Sequence, residues 1–148
     1  MGNSYEYQNF YRELIRRYWE HYLERSQPKP SKKNNLAFKS GKEGVVFGWS
    51  FHTNQRFSAE IYIDTRNKQY NQDILGTLKG KIGETPPGFY RLNWEELPNK
   101  RACRIATYKT GDIDSVSNNL KTREDLISWA IKKMLLLEET FSESIQSV

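Results

Sequence analysis

The side chains with chemistry to offer are few. Glu60 and Asp64 stand four apart in the run Ala59-Glu60-Ile61-Tyr62-Ile63-Asp64. Alternation along a strand puts both on one face, where two carboxylates suit a hard divalent cation. Nucleases of the PD-(D/E)XK kind need Lys two positions after the acid, and here Glu60 is followed by Ile61 and Tyr62. No metal site or catalytic residue is therefore assigned, and no cofactor is expected. His21 and His52 have no nucleophile at matched spacing. Cys103 is the single cysteine, which excludes a disulfide framework and a multi-cysteine zinc site. It is expected to sit in the core as a small buried thiol. Gly76-Thr77-Leu78-Lys79-Gly80-Lys81 departs from a phosphate loop, because three residues separate its glycines and Ile82 stands where Ser or Thr belongs.

Cations offer more. The chain has 148 residues and a net charge of +5, and the excess is unevenly spread. Residues 1–50 carry +4, 51–78 are neutral, 79–109 carry +4 and 110–148 carry −3. The stretch Lys29–Lys42 holds five lysines and no acid. If the two positive regions share a face, Lys29, Lys32, Lys33, Lys39, Lys42, Lys100, Arg101 and Arg104 become candidate phosphate contacts, with Tyr or Trp nearby for stacking.

The elements that must position these residues follow from periodicity. From Tyr5 to about Arg25, Phe10, Leu14, Tyr18 and Tyr22 recur at helical spacing, and Pro28 and Pro30 stop the helix. Residues 28–42 read as an exposed basic loop, with a short strand near Leu36–Phe38 as an added possibility. Val45, Phe47, Trp49, Phe51 and then Phe57, Ala59, Ile61, Ile63 alternate about a turn at Thr53–Arg56, which predicts an antiparallel hairpin. Ser50, His52, Ser58, Glu60, Tyr62 and Asp64 form its outward set. A second helix is expected over residues 67–82, strands over 89–94 and 102–109, and a C-terminal helix over 120–146 led by a Thr122–Asp125 capping box. The fold class is α+β: one domain spanning 1–148, an antiparallel sheet of four to five strands packed by three helices in the order α-β-β-α-β-β-α. Trp19, Trp49, Trp94 and Trp129 all fall on apolar lines and are expected in the core.

The first residues carry no apolar export segment, and no stretch approaches the length needed to span a bilayer. A cytoplasmic protein with no membrane partner is expected. Met1-Gly2 opens like a myristoylation signal, but Glu6 stands where that signal wants Ser or Thr.

Gly44 through Asp64, the segment Lys68 to Ile82, Leu92-Asn93-Trp94-Glu95-Glu96-Leu97-Pro98, Lys100-Arg101-Ala102-Cys103-Arg104-Ile105 and Asp125-Leu126-Ile127-Ser128-Trp129 follow one another in a distinctive order. In this, and in the opening Phe10-Tyr11-Arg12-Glu13-Leu14, the chain resembles the prokaryotic domain of unknown function 4268 family. The resemblance implies an association with PD-(D/E)XK nuclease-like domains, which members often follow, and hence with DNA or RNA transactions and defence. It carries no catalytic residues. The expected function is a non-enzymatic, nucleic-acid-associated accessory module working with a nuclease. The alternative is a protein-binding module or an inhibitor of a defence nuclease, and a metal-dependent phosphodiesterase using Glu60 and Asp64 comes last. Expected partners are thus DNA or RNA, or a nuclease or defence protein, and no oligomeric state is assigned.

Overall fold

In the computed structural model, which describes residues 4–148, the first apolar line forms helix α1 (Ser4–Tyr18). Met1-Gly2 lies outside the described residues. The helix ends earlier than its periodicity predicts. Trp19–His21 tightens into a 3-10 turn, and Trp19 packs edge-on against Phe38 at 5.2 Å. The chain then turns so that Arg25 lies 3.5 Å over the Tyr22 ring and 2.9 Å from the buried carboxylate of Glu138. Those tertiary contacts replace the last predicted helical turn.

Five antiparallel strands follow in the spatial order β1-β2-β3-β5-β4: β1 (Asn35–Lys39), β2 (Val45–His52), β3 (Arg56–Ile63), β4 (Asn93–Glu96) and β5 (Cys103–Thr110). The Lys29–Lys42 stretch is therefore not one exposed loop. Leu36 is buried opposite Trp49, and Phe38 stacks on Phe47 at 5.7 Å, so two apolar residues among five lysines secure an edge strand. The β2–β3 hairpin turns where predicted, with Asn54 and Gln55 at φ 62° and 56°. The strand expected over 89–94 begins late, at Asn93, because Phe89 closes a turn onto the Pro86 carbonyl after Gly88 at φ 93°.

Helix α2 (Lys68–Ile82) is capped by the Asn67 side chain, which accepts from the Tyr70 N–H at 2.8 Å. A fourth helix, absent from the sequence reading, is α3 (Ile113–Asn118). Its six residues are fixed by the Asp112 cap and by burial of Ile113 and Val116. Helix α4 (Leu120–Gln146) starts at the Asn119 cap, which accepts from the Thr122 N–H at 2.9 Å, so Thr122 belongs to the first turn and is not the cap.

The helices gather on one face of the sheet. Phe47, Trp49, Phe57, Ile61, Ile63 and Ile105 meet Ile127, Ala130, Met134, Leu137 and Phe141 there, all buried. Trp49 fills this layer and satisfies its indole by donating to the Ala130 carbonyl at 3.0 Å. Cys103 is buried in the same layer, and burial pushes its thiol up. Trp19 is buried, while Trp94 and Trp129 are half-buried against Phe141 and Phe57. No described helix is long and apolar enough to cross a membrane.

Candidate functional site

The other face of the sheet is lined mainly by strand side chains, and register orders them into rows. Lys39, Val46, Tyr62, Arg104 and Glu95 lie side by side across the five strands. The next row is Ala37, Gly48, Glu60, Ala106 and Asn93, and the one beyond it Asn35, Ser50, Ser58 and Tyr108. The middle row is nearly bare, so Glu60 lies in a trough between the taller rows. A Cβ on Gly48 would come within 2.6 Å of the Leu36 carbonyl oxygen, which makes glycine necessary for the approach of β1. A cavity of about 460 Å³ opens here, with Gly48, Glu60, Tyr62 and Arg104 in its walls and Asn34, Asn35 and Lys100 at its rim.

The polar groups of this face form one connected set. Ser58 donates to Glu60 Oε1 at 2.5 Å, and His52 Nε2 lies 2.8 Å from the Ser58 oxygen. A hydroxyl has one proton, so when Ser58 gives it to Glu60 the imidazole must be the donor into Ser58. Ser58 is fully buried and is not a poised nucleophile. Arg104 Nε sits 3.5 Å from the same Glu60 oxygen, and its guanidinium lies 3.4 Å from Glu95. Burial alone would push Arg104 down, but Glu60, with Tyr108 and Glu95, outweighs it and holds the guanidinium above its ordinary range. Tyr108 donates to Glu95 at 2.7 Å, and burial together with that bond pushes it up to about 12. Arg56 lies 4.1 Å over the Tyr108 ring.

The outward set is thus correct in face and wrong in exposure. Ser50, Ser58 and Glu60 are buried by neighbouring strands and loops without any helix above them. Asp64 lies beyond the strand end, bound to Arg101 at 2.7 Å and to the Arg66 N–H at 3.0 Å. Glu60 and Asp64 therefore serve different partners, and among the described residues no three His, Cys, Asp or Glu side chains gather as a metal site would require.

Of the eight candidate cations, Lys39 and Arg104 share one row and Lys100 stands at the cavity rim. Lys29, Lys32 and Lys33 are exposed on the segment leading into β1. Three have intramolecular partners: Lys42 donates to the Val148 carbonyl, Arg101 pairs with Asp64, and Arg104 lies between Glu60 and Glu95. The turn that carries Lys100 is itself anchored. Buried Asn71 donates to the Arg101 carbonyl at 3.0 Å and accepts from the Thr65 N–H at 2.8 Å, tying α2 to the β4–β5 turn.

Sequence reasoning assigned no site role to Gly48, Arg56, Glu95 or Tyr108. The signal for Gly48 is a strand-interior glycine. The other three become neighbours only through the β3–β5 and β4–β5 registers, which no local pattern encodes.

The model of the family described as Domain of unknown function (DUF4268) matches residues 7–145, and the chain belongs to that family. None of the curated proteins and none of the solved structures matches it.

Proposed function

We propose that this DUF4268 member is a non-enzymatic module that associates with nucleic acid through the helix-free face of its sheet, as an accessory to a nuclease in defence or DNA processing. The carrying observation is the register that sets Lys39 and Arg104 in one row beside a cavity rimmed by Lys100. Lys29, Lys32, Lys33, Lys39 and Lys100 are exposed and carry no ion pair among the described residues, so phosphates meet little competition there. Arg104, held between carboxylates, shapes the face and adds a cation at its centre. Half-buried Tyr62 supplies a ring against which a base can stack. These contacts hold a backbone and do not by themselves read sequence.

A protein partner has one observation in its favour. Beside edge strand β1 lies a second cavity of about 690 Å³ with Trp19, Pro28 and Phe38 in its walls, the kind of edge to which an extended peptide adds.

Fluorescence anisotropy of labelled single-stranded DNA, duplex DNA and RNA at about 50 and 200 mM salt separates the two. Five lysine–phosphate contacts predict a loss of affinity on the order of 10²-fold over that range. Lys32→Glu/Lys33→Glu weakens binding further. No binding at the lower salt would contradict the nucleic-acid reading and favour the protein partner.

A further inference from the structure

The trough on the helix-free face contains a mismatch of donors and acceptors that the protein leaves open. The hydrogen bond that Glu60 accepts and the nearest approaches of His52 and Arg104 all fall on Oε1, and Oε2 accepts no hydrogen bond among the described residues. Arg104 Nε is sealed from solvent and makes no hydrogen bond. A carboxylate whose side chain is only 7% exposed, with half its acceptor capacity unspent, ordinarily meets its remaining demand from a ligand or water. The flanking Ala106 carries only a methyl group, and the cavity falls in the roughly 300–1,000 Å³ range of ligand pockets.

We infer that this trough holds one unstacked guanine of a single strand, with Glu60 accepting from its Watson–Crick edge, Tyr62 beside its ring and Lys100 near its phosphate. The inference rests on the nucleic-acid reading above and sharpens it from backbone binding to base choice. The chemistry discriminates among bases. Guanine offers two adjacent donors, N1–H and the 2-amino group, which a carboxylate takes together. Adenine and cytosine offer one exocyclic amine beside a ring acceptor that repels the carboxylate. Uracil and thymine flank a single N–H with two carbonyls. The guanine O6 acceptor faces the cationic side of the trough, where Arg104 lies next to Glu60.

The test uses the full chain and pentamers with one central guanine, adenine, cytosine or inosine, in oligothymidine and oligouridine backgrounds to compare DNA with RNA. We expect guanine to bind about tenfold tighter than adenine or cytosine, since one bidentate base contact gives discrimination of that order. Inosine, lacking the 2-amino group, loses several-fold without any change to the protein. Glu60→Gln brings the guanine preference below about twofold and retains the salt dependence. Equal affinity for all four pentamers, with the salt dependence intact, overturns the base site and leaves the backbone reading standing. A guanine preference unchanged in Glu60→Gln overturns the assignment to Glu60. No binding of any pentamer at 50 mM salt overturns the base site, and if the longer single-stranded, duplex and RNA probes also fail to bind, the backbone reading falls with it.

Discussion

Phe57 and Ser58 are consecutive residues of one strand, both fully buried, and they are buried by different things. Phe57 points into the helix layer, with Phe10, Phe51 and Trp129 around its ring. Ser58 points the other way and is covered by neighbours on its own sheet, among them His52 and Glu60. The helix face is stabilised by transfer of aromatic and aliphatic surface out of water. The opposite face is built from hydrogen bonds and ion pairs that are incompletely matched around Glu60 and Arg104. Alternation thus fixes which face a side chain occupies, whereas its exposure depends on what lies beside it.

The largest predicted effect breaks the helix face. Trp49→Ala removes a fully buried indole and its bond to Ala130, and costs about 3–5 kcal/mol in denaturant unfolding. An intermediate effect falls on the other face. Gly48→Val drives a side chain against the Leu36 carbonyl and into the trough, at a cost of about 1–3 kcal/mol, and abolishes base preference in the pentamer assay.

A smaller effect tests the outer side of the helix layer. Hydrogen bonds from Arg16, then Arg17, hold the Glu13 carboxyl down at about 2, against an ordinary value of 4.5. Because the folded value is the lower one, the stabilisation is complete above about 4.5 and is lost as pH falls towards 2. Glu13 is solvated enough that the contribution stays under about 1 kcal/mol. Acid unfolding of Glu13→Gln should show a correspondingly shallower decline across that window. The smallest stability effect is expected for Lys32→Glu/Lys33→Glu, within about 0.5 kcal/mol in the same unfolding assay, because both side chains are exposed. Its large loss of oligonucleotide affinity would then belong to binding alone.

The sequence made the helix face legible because large apolar residues recur at every second position from Val45 to Phe51 and from Phe57 to Ile63, with Ala59 among them, and the α4 stripe is long. It showed β1 only as an added short strand near Leu36–Phe38, because those apolar residues sit in a stretch with five lysines, and it hid α3, whose six residues are held by tertiary packing. The common face of Lys39 and Arg104 was open to inspection only as a possibility, since it depends on three registers. The ties of Lys42 to Val148 and of Arg101 to Asp64 link residues 106 and 37 apart, a distance that local pattern does not cross.

The central claim is that the helix-free face is the one that binds. Titrating the isotope-labelled protein with a single-stranded oligonucleotide and following backbone amide shifts tests it residue by residue. The account predicts the largest shifts at Lys39, Gly48, Tyr62, Lys100 and Arg104, with Ser128, Lys132 and Glu139 on the exposed side of α4 unmoved. Shifts concentrated on α4, or around Trp19 and Phe38 beside the β1 edge, would contradict it.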